Sequence, residues 1–201
     1  MITVKRKTSE SIITVKLDQT GLKENYREKI ETTIPFLNHM IEHITWRSGF
    51  GIETDVKLDK FQLDHLICED TGMALGKAFA KHAKETPCKG YGDAAGIIDE
   101  ARAIAYISFE NRAMFIMDRA CEIPAQTEGM NSEDLGTFLE GFAHGAGCTI
   151  QIDFQRGENG HHIWEAIYRA FGMALGMACS EDASRKGRTA GVAGKIEYEV
   201  Q

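Results

Sequence analysis

The sequence has no apolar run as long as the ~18 residues a membrane span requires, no CxxC pair and no basic stripe. Each absence excludes a class of function. Without a spanning segment, no membrane role is expected. The five cysteines (Cys68, Cys88, Cys121, Cys148, Cys179) are odd in number and scattered, which favours a reducing cytoplasm over a disulfide framework. A net charge of −7 speaks against a nucleic-acid-binding surface and leaves a small metabolite as the expected partner. The first residues, MITVKRKTSESIITVKL, alternate polar and apolar like a strand rather than forming the apolar block of a targeting peptide. What the chain does have is 201 residues that are 43% hydrophobic, enough for one large domain or two small fused ones.

Patterning predicts two strands, over 2–17 and 23–33, around the turn Asp18-Gln19-Thr20-Gly21. Pro35 opens a helix in which Phe36, Leu37, Met40, Ile41 and Ile44 share a face, and Gly49 stops it. A strand over 51–58 and a helix over 64–84 follow. The turn formers of KETPCKGYGDAAG, around 84–96, mark the midpoint. Beyond it, strands are predicted at 101–109 and 113–120 and a helix at 134–146, capped by Ser132-Glu133-Asp134. A strand at 148–155, the turn GENG and a helix at 161–179 complete the chain. The order strand, strand, helix, strand, helix occurs twice. It implies an α+β fold built by tandem duplication, its sheets covered by helices, with 1–85 and 86–201 as two repeats of one compact unit.

The last helix of each half carries the same small constellation. His65 and Glu69 stand four apart, as do His161 and Glu165, and both helices contain the string GMALG. On a helix, i and i+4 side chains share a face, so each pair can grip one metal ion or set a base beside a ligand. A single such pair reads as an ordinary surface contact; two in matching places point to chemistry. Imidazole with carboxylate suits manganese, iron, zinc or nickel. His161 and His162 are neighbours rotated by about 100°, so their rings serve two sites or two subunits. His39, on the first helix, is a further candidate. His43, one turn later, could join it but reads better as a surface residue, and His82, between lysines, as solvated. Arg112 and the run SRKGR at 184–188 are anion-binding candidates for which a surface role is equally or more natural.

Several segments, in order, carry a resemblance. They are Arg6-Lys7-Thr8-Ser9-Glu10-Ser11, Pro35-Phe36-Leu37-Asn38-His39-Met40, Asp64-His65-Leu66-Ile67-Cys68-Glu69-Asp70-Thr71-Gly72 and Asp99-Glu100-Ala101. The longest and most specific is Gly157-Glu158-Asn159-Gly160-His161-His162-Ile163-Trp164-Glu165-Ala166. Together these resemble the imidazoleglycerol-phosphate dehydratase family, lyases of histidine biosynthesis. The resemblance implies paired α+β repeats (a ribosomal protein S5 domain 2-like fold) assembled through trimers into a large octahedral shell. It also implies manganese ions held between subunits by histidines and glutamates of both repeats. The small-molecule imidazole substrate would bind at the metals and lose water to give imidazole acetol phosphate. Carried over residue by residue, His39, His65, Glu69, His161, His162 and Glu165 become metal ligands. Glu69 or Glu165 moves the proton, and Glu10, Arg112 and Lys195 contact substrate.

The chain also departs from the pattern. The second histidine of the family's first H-H pair falls on Leu66, and the histidine of its T-L-H-V strand falls on Gln151. The family's S-T-K falls on Gly191-Val192-Ala193, with Lys195 two positions on. An arginine falls on Ile104, with Arg102 two positions earlier, and an acid falls on Ser108. These departures open two alternatives: a lyase acting on a less charged substrate, and a non-catalytic metal-binding shell protein.

Overall fold

Strand β1 (Ile2–Lys7) turns back at once into β2 (Ser11–Asp18). The Thr8 hydroxyl closes that turn by accepting the backbone N–H groups of Glu10 and Ser11. Along β2, Ser11, Ile13, Val15 and Leu17 are buried, the period-2 pattern of a strand with one face on a core. Strand β3 (Gly51–Leu58) pairs antiparallel with β2 and completes a three-stranded sheet, β1-β2-β3. The structure is a computed structural model and describes residues 1–194, 196, 197 and 199.

The strand expected over 23–33 does not form. Tyr26–Lys29 is a short 3-10 turn, and only Ile30 makes a parallel bridge, to Thr54. Both edges of β2 are already taken by β1 and β3, and the polar run Lys23-Glu24-Asn25 offers no alternating apolar face to hold a fourth strand. The hairpin therefore lies wholly within 2–18.

Helices α1 (Pro35–Ser48) and α2 (Asp64–Glu85) complete the first half. The second half opens with β4 (Tyr91–Ile98), most of it in the segment around 84–96 expected to be turns. Its glycines are packing residues: a Cβ at Gly92 or Gly96 would lie 2.1 Å from the carbonyl oxygen of Ala174 or Ala166 on the last helix. Strand β5 (Ala101–Ser108), strand β6 (Met114–Arg119) and a two-residue ribbon, β7 (Gln126–Thr127) with β8 (Met130–Asn131), follow. Helix α3 (Ser132–Ala146), strand β9 (Thr149–Arg156) and helix α4 (Gly160–Ala178) end the second half. The sheet order is β4-β5-β9-β6, with β6 parallel to β9. That parallel strand occupies the place which Ile30 marks with a single bridge in the first sheet.

Helix α2 lies on β1 and β2 and runs along α3; α4 lies on β4 and β5 and runs along α1. Each helix thus touches one sheet and one helix of the other half. Trp164, Tyr168, Phe79, Phe138, Phe142 and Phe171 fill the space between. The α2–α3 crossing is close because glycines face each other's backbones. A Cβ at Gly72 would meet the Phe138 carbonyl at 2.1 Å, and one at Gly145 would meet that of Met73 at 2.1 Å. Among the described residues, no helix is long and apolar enough to cross a membrane.

Candidate metal centre

Helices α1 and α4 run side by side with their first turns together. Their facing sides gather His39 and His43 from α1, and His161 and Glu165 from α4. The start of α4 is tightly fixed. Its cap, Asn159, accepts the backbone N–H groups of His161 and His162, while Glu100 accepts those of Glu158 and Asn159. Those donors and His162 hold the half-buried Glu100 carboxyl down at about 2.

Glu165 is the centre of the group, with 6% of its side chain exposed. Its Oε2 lies 3.4 Å from His161 Nε2 and 3.9 Å from His39 Nε2. Its Oε1 lies 3.2 Å from His43 Nε2 and pairs with Arg169, which also donates to the Ile97 carbonyl. The Nε2 atoms of His39 and His43 are 3.4 Å apart. Burial, opposed by Glu165, pulls the His43 imidazolium down to about 4, so its ring is neutral near pH 7.

Each of the four histidines carried over as ligands sets its Nδ1 against a carboxylate. His39 meets Glu42 at 3.1 Å, His65 meets Asp134 at 3.3 Å, His161 meets Glu128 at 3.0 Å and His162 meets Glu100 at 2.8 Å. An ionised carboxylate only accepts hydrogen bonds, so Nδ1 carries the proton and the lone pair of each neutral ring sits on Nε2. A carboxylate fixing the tautomer of an imidazole whose other nitrogen stays free is the outer arrangement of metal-binding histidines. The donors fit a divalent ion in spacing as well. Tetrahedral bonds of about 2.1 Å put neighbouring donors about 3.4 Å apart, and ligand atoms of His39, His43 and Glu165 all lie within 4.8 Å of one another.

The other candidates lie elsewhere. His65 opens α2 with 67% of its side chain exposed. Glu69, one turn on, is half-buried where α2 crosses Gly141, and among the described residues it makes no ion pair. The His162 ring turns away from His161, toward Glu100 and Asp99. Leu66 packs against the core, and Gln151 is exposed on the outer face of the second sheet. Glu10 sits exposed in the β1–β2 turn, and Arg112 in the turn before β6, its carbonyl accepting from Thr149. Thr149 begins β9 and α4 follows its end, so Arg112 and His161 are separated by a strand of roughly 25 Å. Arg102 and Ile104 share the outer face of β5, and Lys195 lies outside the described residues.

Sequence reasoning placed His43 on the helix surface, but only 15% of its side chain is exposed. Its i,i+4 relation to His39 was the signal, and it becomes specific only once α4 covers that face of α1. His82 is likewise buried rather than solvated, its Nδ1 2.7 Å from the Gln19 amide. Arg169 was missed, although it stands four residues after Glu165 on the same helix face.

A duplicated α+β frame that brings histidines and a buried glutamate together on neighbouring helices defines a candidate metalloprotein. The family model for imidazoleglycerol-phosphate dehydratase matches residues 32–175. A protein of that name from a Psychrobacter species is 35% identical over 185 residues, covering 89% of this chain and 85% of its own length. Another, from Paraburkholderia xenovorans, is 33% identical over 197 residues, covering 96% and 97%. The crystal structure of the Pyrococcus furiosus enzyme superimposes with a TM-score of 0.80 at 29% identity, over 96% of this chain and 99% of that one. The Staphylococcus aureus enzyme gives 0.74 at 26% identity, over 90% and 100%. The chain belongs to the imidazoleglycerol-phosphate dehydratase family, a family of metal-dependent carbon–oxygen lyases.

Proposed function

We propose that the chain is a manganese-dependent dehydratase of histidine biosynthesis, removing water from imidazoleglycerol phosphate to give imidazole acetol phosphate. The observation that carries this reading is the set of four histidines, each with Nδ1 held by a carboxylate, which leaves Nε2 as the nitrogen that can bind an ion. His39, His161 and Glu165 hold one ion. His65, Glu69 and His162 supply the donors of a second, brought together from different chains because His65 and His162 occupy separate surfaces within one. A bound divalent ion lowers the pKa of an imidazole it contacts and stores developing negative charge. The remaining work falls to side chains. Glu165 is engaged by Arg169 and the histidines, so Glu69, free of ion pairs among the described residues, is the carboxylate better placed to take the proton from carbon.

Glu10, Arg112 and Lys195 are assigned to substrate contact. Arg112 serves a site in another copy, since β9 separates it from the histidines of its own chain. Self-association into trimers, and from these a 24-subunit shell, completes those sites. The exposed apolar residues Tyr91, Ile97, Met114 and Ile116 on β4 and β6 suit such contacts. The five free cysteines suit a cytoplasmic location.

The test is direct. Protein loaded with manganese(II) and given imidazoleglycerol phosphate should release the acetol phosphate product; no turnover with any divalent ion would overturn the reading. The glycine, valine and alanine at 191–193 favour a second reading, a lyase on a less charged substrate. A thermal shift with neutral imidazoles and none with phosphate-bearing ones would support it.

A further inference from the structure

The imidazole with the shortest contact to Glu165 belongs to none of the four carboxylate-fixed histidines. It is His43, whose Nε2 lies 3.2 Å from Glu165 Oε1 and 3.4 Å from His39 Nε2. We propose that His43 is a direct ligand of the ion held by His39, His161 and Glu165, so that this site draws its whole protein donor set from one chain. The inference rests on the metal-dependent reading above and adds a residue to it.

Three observations converge. Ligand atoms of His39, His43 and Glu165 all lie within 4.8 Å of one another, and among the described residues no other such group of three occurs. His161 approaches the same carboxylate, at 3.4 Å, from the first turn of α4. The His43 contacts, 3.2 Å to Glu165 and 3.4 Å to His39, match the edge of about 3.4 Å between neighbouring donors around a first-row ion.

Backbone geometry holds the arrangement in place. His39 and His43 are i and i+4 on α1, so both face α4. The two helices approach closely because position 172 is glycine, where a Cβ would stand 3.0 Å from Ile44 Cα and 3.1 Å from the His43 carbonyl oxygen. The third observation is chemical. Leu66 has no lone pair and packs on the core, whereas His43 offers an imidazole from within the chain. Ligation puts the His43 proton on Nδ1 and exchanges the Nε2 contact to Glu165 for one to the ion.

The experiment uses the full-length protein, stripped with a chelator and titrated with manganese(II) by calorimetry. Cobalt(II) absorption serves as a second readout, because the ligand-field band reports the donor set irrespective of turnover. His43→Gln and His43→Ala are compared with the unaltered chain and with Glu165→Ala. The expected result is manganese affinity at least tenfold weaker in both His43 variants, a changed cobalt band, and melting of the metal-free proteins close to that of the parent. If both variants bind manganese like the parent, with the same cobalt band, while Glu165→Ala loses the ion, His43 only hydrogen-bonds to Glu165. The proposal then fails and the metal-dependent reading stands. If the parent itself binds no ion, that reading fails and the proposal with it.

Discussion

Along α4, Gly172 meets the backbone of Ile44 on α1; along α2, Gly76 meets that of Phe142 on α3. The two helix pairs are equivalent, and each begins with a His-x-x-x-Glu on its longer helix. Aligned on their left-handed stops, Gly49 and Gly147, α1 and α3 place His39 and His43 opposite Thr137 and Gly141. The partner helix therefore supplies two imidazoles to Glu165, whereas at Glu69 it has Gly141 against the backbone and Thr137, whose hydroxyl donates to the Glu133 carbonyl of its own helix. The repeated string GMALG belongs to the packing common to both pairs. The difference in chemistry comes from the shorter helices, which carry no such repeat.

Removing Glu165 breaks the contrast most severely. Glu165→Ala leaves the mostly buried Arg169 without its carboxylate, which should cost about 3 kcal/mol in urea unfolding. Activity should fall more than about a hundredfold, with loss of the ion by elemental analysis. Glu69→Ala should leave unfolding nearly unchanged and cost activity only in the assembled protein.

Packing separates the two pairs next. Gly145→Ala forces a Cβ to 2.1 Å from the Met73 carbonyl, whereas Gly172→Ala meets atoms at 3.0–3.1 Å. The first should lower stability by about 3 kcal/mol and the second by about 1, read as a difference in melting temperature.

The outer carboxylates give a smaller effect. Glu128→Gln and Asp134→Asn remove the negative charge that faces the Nδ1 atoms of His161 and His65, and each should weaken manganese binding about 10- to 100-fold at its own site. Calorimetry on dissociated chains should register Glu128→Gln and miss Asp134→Asn.

The smallest effect is acidic. Asp18, in the first half, is lowered from 3.8 to about 2 by the Thr20 hydroxyl and backbone N–H and by Lys23. Glu100, in the second half, falls from 4.5 to about 2. Because both folded values lie below the ordinary ones, their stabilisation is complete above about pH 5 and is lost as the pH falls toward 2. Carboxyl NMR titration should show both groups still ionised at pH 3.

Much of the fold was legible because period and punctuation agree. Helix α1 starts at Pro35 and stops at Gly49, and β3 covers the predicted 51–58. Where sequence reasoning failed, the deciding partner was remote. Gly92 and Gly96 look like turn residues until α4 is laid on them. The 23–33 segment alternates weakly and finds no free strand edge on β2. His39, His161 and Glu165 were legible as candidates from residue type and spacing. Their convergence, and the place of His43 beside them, depends on α1 and α4 running in parallel, which neither helix encodes alone.

The most direct measurement is anomalous scattering from a crystal of the manganese-loaded protein. The account predicts a peak bounded by His39, His43, His161 and Glu165 of a single chain, and any second peak between chains, at His65 and His162. A first ion shared between chains, or one from which Glu165 is turned away toward Arg169 alone, would contradict it.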